Sequence, residues 1–126
     1  MKETFIIPYP KSAAGRKQWN KLYGLNAYWA GKHWSKRKED ADYWHQLVRY
    51  EMQRQGVRKA PFEKPVKITY LFNDNLDATN HAAMIKMIED AMVGRLLSGD
   101  SRRYVKGFSC WFHGADYIKV IVEELE

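Results

Sequence analysis

The sequence predicts a single α+β domain over residues 1–126, with a mixed β-sheet and two main helices. Three observations predict this class. Runs that alternate apolar and polar residues, typical of strands, occur near both ends of the chain and around residue 68. Two longer stretches carry apolar residues at helical spacing. No repeat or linker interrupts the order strand, loop, helix, strand, helix, strand, strand, which is the order expected of one α+β domain.

The first half of the chain predicts a strand, a loop and a helix. Residues 3–9 (ETFIIPY) form a short strand that is ended by prolines. Residues 11–34 mix glycines, aromatic residues and bases without a sustained period, which predicts a long functional loop. Ser35 is a suitable N-cap for the first helix, and Gly56 ends it. The apolar positions of this helix are Tyr43, Leu47, Tyr50 and Met52, with Trp44, Val48 and Glu51 alongside.

The second half predicts a strand, a helix and a hairpin. Residues 66–72 alternate as a strand after a proline, and NDNLD follows as a turn. The second helix covers about 79–97 and is capped by Asp77 or Thr79. Residues 104–112 and 117–125 are expected to pair as a hairpin. The apolar stripe of the second helix is Met84, Ile85, Ile88, Met92 and Leu96.

The net charge and the cysteine content limit the classes of function that this protein can have. The formal charge is +6, from 21 Lys and Arg against 15 Asp and Glu, which favours an anionic partner, nucleic acid first and a membrane surface second. No apolar run reaches the roughly 20 residues that cross a bilayer, and the N-terminal apolar patch is too short for a signal peptide. The single cysteine, Cys110, excludes an intramolecular disulfide and is expected to be buried. We therefore expect a cytoplasmic protein that does not enter a membrane.

A basic and aromatic segment, residues 30–38 (AGKHWSKRK), is the first candidate for binding nucleic acid. Its bases are suited to backbone phosphates near a helix start, and Trp34 is suited to stacking on an unpaired base. The alternative is that Trp34 anchors a core or a dimer interface while the bases form a solvated face. The bases in question are Lys32, Lys36, Arg37 and Lys38.

The residues that carry candidate chemistry lie between positions 77 and 100. Asp77 precedes the second helix, Lys86 and Asp90 share one of its faces, and Asp100 follows it. Hydrolysis of a phosphodiester needs a bound phosphate and an activated water, which carboxylates can provide by holding Mg²⁺. Lys86 would steady the phosphate and Asp90 would fix its ammonium. The structural alternative is an N-cap, a surface ion pair and a turn residue.

This stretch, LDATNHAAMIKMIEDAMVGRLLSGDSRRYV, resembles the core of the RusA-type Holliday-junction resolvases of phages and prophages. Asp77 and Asn80 match the first and last positions of the family's D-x-D-N motif, Lys86 and Asp90 match its helix pair, and Asp100 matches the second aspartate of its D-D turn. The resemblance extends over most of the chain. It implies a homodimeric, Mg²⁺-dependent endonuclease in a bacterial host that makes paired nicks in four-way DNA junctions.

Two positions depart from the family pattern. Thr79 stands where the motif has its second aspartate, and Gly99 replaces the first aspartate of the turn. Glu89 is a candidate replacement ligand because it lies within one turn of Lys86. The metal site is therefore either rebuilt around Asp77, Glu89, Asp90 and Asp100, with Mg²⁺ or Mn²⁺, or it is lost and the protein binds branched DNA without cutting it.

Other motifs add little. The four histidines form no metal-binding array, and His81 has either a structural role or a contact to the scissile phosphate. Nucleotide-cofactor and acyl-transfer enzymes have no motif support. The predicted DNA-binding set is completed by Asn80, Arg102 and Arg103.

Overall fold

A four-stranded mixed sheet organises the chain, whose residues 1–126 are all described by the computed structural model. The strands lie in the order β1-β4-β2-β3, and β4 runs antiparallel to both of its neighbours. Strands β2 and β3 are parallel. The predicted α+β class with a mixed sheet is thus confirmed. The strands are β1 (Lys2–Pro8), β2 (Val66–Phe72), β3 (Val105–Phe112) and β4 (Tyr117–Glu124).

Four α-helices and one 3₁₀ turn complete the fold. The helices are α1 (Ala13–Tyr23), α2 (Leu25–Trp29), α3 (Trp34–Arg54) and α4 (Ala82–Met92), and the 3₁₀ turn over Ala78–His81 leads into α4. Helices α3 and α4 pack against each other, and α3 also contacts β1. The largest fully buried side chains come from both helices and from the sheet. They include Trp44, Met52, Met84, Ile88, Phe5, Tyr70 and Phe72.

The prediction of a loop over residues 11–34 is wrong, because this segment forms α1 and α2. The Ser12 side chain accepts a hydrogen bond from the Gly15 backbone N–H at 2.9 Å and so caps α1. Trp19 and Tyr23, one turn apart, are both buried. The helical period is hard to see in the sequence because α1 buries only Trp19 and Tyr23, α2 buries no residue, and Gly24 separates the two helices.

The start and the buried face of α3 also differ from expectation. His33, not Ser35, is the N-cap: its Nδ1 accepts a hydrogen bond from the Ser35 backbone N–H at 3.2 Å. Of the predicted apolar stripe of α3 only Met52 is buried, together with the residues predicted alongside it, whereas two stripe positions are exposed. The buried residues include Trp44, Val48, Glu51 and Met52, and the exposed ones are Tyr43 and Tyr50.

The predicted hairpin between the last two strands is wrong as well. Strands β3 and β4 lie on opposite sides of β2, and the link over residues 113–116 passes across the end of β2. The His113 N–H donates to the Phe72 carbonyl at 3.0 Å, and Asn73 Nδ2 donates to the Ala115 carbonyl at 2.9 Å. The alternation of β4 suits this central position, because Ile118, Val120 and Val122 are all buried. Cys110, on the edge strand β3, is only half-buried, contrary to expectation.

Helix α4 ends five residues earlier than expected, at Met92. Val93 has an extended backbone and Gly94 has a φ of +91°, a conformation that ends a helix and is strained for other residues. The Arg49 side chain donates to the Ala91 carbonyl at 2.7 Å and also to the Val93 carbonyl. These bonds satisfy carbonyl groups at the helix end and tie α3 to α4.

A buried Asp74–His81 pair holds the turn between β2 and α4. The side chain of His81 is 0% exposed and that of Asp74 is 4% exposed. His81 Nε2 lies 2.9 and 2.8 Å from the two Asp74 carboxylate oxygens, and Nδ1 lies 3.0 Å from the Ala78 carbonyl. The imidazole also stacks on Phe72, with 4.0 Å between ring centroids. Both ring nitrogens thus lie within hydrogen-bond distance of oxygen atoms, which satisfies the polar atoms of a buried side chain.

We expect His81→Ala to destabilise the protein by about 3–5 kcal/mol, because it leaves the Asp74 carboxyl buried without its partner. Urea unfolding monitored by circular dichroism measures the change. His45→Ala is the matched control, since His45 lies exposed on α3, and it should stay within about 0.5 kcal/mol of the unmodified chain. Equal stability of the two variants would show that the buried pair is not needed.

Candidate active site

A charged cluster lies where α4 meets the segment that leaves it. Lys86 Nζ is 3.0 Å from Asp90 Oδ1, one helical turn away, and 2.7 Å from Asp100 Oδ2. The first contact follows from the i,i+4 spacing on α4. The second depends on the early end of the helix, which lets the chain turn back toward it. The three side chains are between 43% and 58% exposed, so a large ligand can reach them.

The electrostatics keep this cluster charged. Hydrogen bonding to Lys86, followed by hydrogen bonding with Asp90, lowers the pKa of Asp100. Hydrogen bonds from Lys86 to Asp100 and, to a smaller extent, to Asp90 raise the pKa of the Lys86 ammonium. Burial raises the pKa of neighbouring Glu89, an effect that Lys86 opposes and the two aspartates reinforce. The Lys86 ammonium is therefore held between the carboxylates of Asp90 and Asp100, and the nearby Glu89 carboxyl is more easily protonated.

Tyr70 also lies near the charged cluster, which the sequence did not indicate. Its hydroxyl is buried without a hydrogen-bond partner. Burial raises its pKa well above the ordinary value, and the charges of Glu89 and Asp90 raise it further. The alternation of β2 indicated only a core position for Tyr70, because its hydroxyl lies near the carboxylates through the packing of α4 on the sheet.

The donor chemistry of the cluster fits a hard divalent cation with few protein ligands. Mg²⁺ is commonly held by one or two carboxylates and keeps several waters, and Asp90 and Asp100 would supply two such groups. The structure contains no group of three or more His, Cys, Asp or Glu side chains placed to hold a metal ion. The larger predicted set, with Asp77 and Glu89 added, stays a prediction.

Asp77 and Thr79 lie at the other end of α4. The exposed side chain of Asp77 precedes the 3₁₀ turn without forming a cap hydrogen bond, and it makes no ion pair with Lys86. Thr79 lies beside a largely apolar cavity of about 250 Å³. Its other lining residues are Ala78, Ala82, Ile85, Phe108 and Cys110. Thr79 thus faces apolar neighbours where the family motif has a carboxylate.

In the basic and aromatic segment, residues 30–38, the side chain of Lys32 is mostly buried, whereas that of Trp34 is exposed. Lys32 is only 13% exposed: its ammonium pairs with Asp40, donates to the Leu22 carbonyl at 2.8 Å and lies 4.6 Å from the centre of the Tyr28 ring. These contacts tie α2 to α3. Trp34, in contrast, is 71% exposed at the start of α3.

The remaining predicted DNA contacts lie on the surface. Lys36 and Lys38 pair with acids on their own helix at 3.3 and 3.1 Å, and Arg37 donates to the Tyr28 carbonyl at 3.2 Å. Arg102 and Arg103 are exposed just after Asp100. Exposed bases therefore lie in two places, beside the charged cluster and at the start of α3, where Lys36 and Lys38 are paired with acids.

No protein-family model matches the chain, and no curated protein matches it significantly. No helix combines the length and the apolar character needed to cross a membrane.

We expect Lys86→Met to raise the pKa of Asp100 toward the ordinary aspartate value of 3.8, because the ammonium is the main group that lowers it. A carboxyl ¹³C NMR titration measures this. In the unmodified protein the Lys86–Asp100 attraction is present above the ordinary aspartate range and is lost as the pH falls through the lowered pKa.

Lys36→Met is the control, because Lys36 pairs with Glu39 instead. It should leave the Asp100 titration unchanged. An Asp100 midpoint that does not move in Lys86→Met would mean that another group sets its pKa.

Proposed function

We propose that the protein is a divalent-metal-dependent endonuclease that cuts branched DNA, with four-way junctions as its substrate. The observation that carries the proposal is the exposed cluster in which Lys86 bridges Asp90 and Asp100. The resemblance of residues 76–105 to the RusA-type resolvases supports the reaction and the substrate class. A protein of this kind, encoded by a phage or prophage, would work in the cytoplasm of its bacterial host.

The residues of the cluster divide the chemistry of phosphodiester hydrolysis among them. A divalent cation, when bound, polarises the phosphate and activates the attacking water. Asp90 and Asp100 would hold it. The Lys86 ammonium stays protonated and is oriented by both aspartates, so it can stabilise negative charge on the phosphate. The exposure of all three groups suits a duplex-sized substrate.

Basic surfaces on both sides support binding to a phosphate backbone. Arg102 and Arg103 follow the cluster directly, and the start of α3 presents Lys36, Lys38 and the exposed ring of Trp34. Such contacts read charge and shape, which is what a junction offers, and they do not read base sequence. The net charge of +6 acts in the same direction.

The open edge of the sheet supports a homodimer. Strand β3 pairs only with β2, so its other edge has free backbone groups. It also exposes Phe108 by 63% and Trp111 by 62%, with Phe112 half exposed. Antiparallel pairing of two β3 strands would bring the exposed rings of the two copies side by side, with Phe108 and Phe112 on one face of the joined sheet and Trp111 on the other, in a symmetric contact. Two identical sites would then act on two strands of a junction.

A second candidate function is binding of branched DNA without cutting. Two observations favour it: Thr79 faces an apolar cavity where a carboxylate would be needed, and Lys86 already neutralises part of the negative charge of Asp90 and Asp100. Loss of a charged ligand weakens the binding of a divalent cation.

Cleavage of a labelled synthetic four-way junction, beside a linear duplex of matched sequence, tests the proposal. We expect symmetric paired nicks in the junction alone with Mg²⁺ or Mn²⁺ and none with chelator. Asp100→Asn should reduce the rate by about 100-fold or more, since it removes a charge that organises both the metal and Lys86.

Glu123→Gln is the matched control, because Glu123 pairs with Lys67 on the sheet and belongs neither to the charged cluster nor to the proposed DNA-binding residues. It should cut at the unmodified rate. If the protein binds the junction tightly but does not nick it with either metal, the second candidate function is correct. The variant Thr79→Asp would then show whether a carboxylate at this position restores cutting. Equal cutting by Asp100→Asn would exclude this cluster as the site.

A further inference from the structure

All five asparagines of the chain line one groove, in which most of the lining residues are polar. The groove consists of two adjoining cavities of about 530 and 280 Å³, which share Asn20 and Leu76. It lies between α1 and α2 on one side and the turn after β2 on the other. The asparagines are Asn20, Asn26, Asn73, Asn75 and Asn80. They come from separate parts of the chain, so the fold is what gathers them.

Most of these amides are free to bind something else. Asn73 donates to the Ala115 carbonyl at 2.9 Å, whereas the side chains of the other four asparagines make no hydrogen bond within the protein. Each amide offers two donors and one acceptor in a plane. This combination matches the hydrogen-bonding edges of nucleobases, which also present donors and acceptors side by side.

Bases line the same groove along α1. Lys17 and Lys21 are exposed, lie one turn apart and form no ion pair with an acid. Arg16 is less available, because it packs 5.2 Å from the centre of the Tyr9 ring and pairs with Asp116. Two free ammonium groups beside a row of free amides provide contacts for phosphates and for base edges together.

The groove lies beside the start of the crossover, at the opposite end of α4 from the charged cluster. The turn that supplies Asn75 and Leu76 continues directly into Asp77, and Asn80 stands at the end of the 3₁₀ turn. Asp74 also lines the groove, and its carboxylate is held by His81 in the nearly buried pair that fixes this turn. A chain molecule lying in the groove would therefore pass beside the start of the crossover that carries the charged cluster.

We propose that this groove binds an unpaired DNA strand, with phosphates on Lys17 and Lys21 and base edges on the asparagine amides. The inference rests on the proposed function, because it takes branched DNA as the ligand. It adds the path of the strand that leaves the branch point. A duplex presents its base edges only in its grooves, whereas an unpaired strand can offer them to side-chain amides directly.

Fluorescence anisotropy with a labelled 15-nucleotide single strand, and separately with a four-way junction, tests the groove. Every titration contains chelator, so that metal-dependent cleavage of the DNA does not affect the measured affinity. We expect the double variant Asn20→Ala, Asn75→Ala to bind the single strand at least about 10-fold more weakly, as expected from the loss of two base contacts. Lys17→Ala, Lys21→Ala should weaken binding and reduce the salt dependence by about 1.4 in the log–log slope, the loss of two phosphate contacts.

Gln18→Ala is the matched control, since Gln18 is an exposed amide on α1 that lines neither cavity. It should bind like the unmodified chain, and all variants should keep its melting temperature because the changed side chains support no internal contact. If the unmodified protein binds the junction tightly and both double variants bind with the same affinity as it does, the groove is not the binding site of the strand. The proposed function would still stand. Failure of the unmodified protein to bind either DNA would overturn both.

Discussion

Parallel pairing of β2 with β3 is the constraint on which the rest of the structure depends. Parallel neighbours cannot be joined by a tight turn, so the chain between them must cross over the sheet. That crossover contains the 3₁₀ turn, α4 and the segment that ends at β3. It brings Asp100, on the way out, back to Lys86 on the helix. The charged cluster is thus a product of the strand order.

The turn that begins the crossover organises two surfaces of opposite character. Asn75 and Leu76 line the polar groove, whereas Ala78 and Thr79 line the apolar cavity beside β3. The nearly buried Asp74–His81 pair holds this turn in place. The asparagine groove and the apolar cavity are therefore both lined by a turn that one nearly buried pair of side chains holds in place.

Local patterns in the sequence revealed part of this arrangement. Strands β1 and β2 were predictable because their alternation is a property of consecutive residues, and the Lys86–Asp90 contact followed from helical spacing. The place of β4 between β1 and β2 was not predictable, since it depends on pairing with residues far along the chain. The helices in residues 11–34 were missed because α1 buries only two residues and α2 buries none, so neither shows an apolar stripe. The asparagine groove had no sequence signal, because the fold alone gathers its members.

The central claim is that Asp90 and Asp100 together hold a divalent cation. Titration of ¹³C-labelled protein with small amounts of Mn²⁺, followed by paramagnetic broadening of the side-chain carboxyl signals, tests it directly. Broadening should appear first at Asp90 and Asp100, then at Glu89, and should be reversed by excess Mg²⁺. Broadening centred on another group of carboxylates, or none at these residues, would contradict the claim.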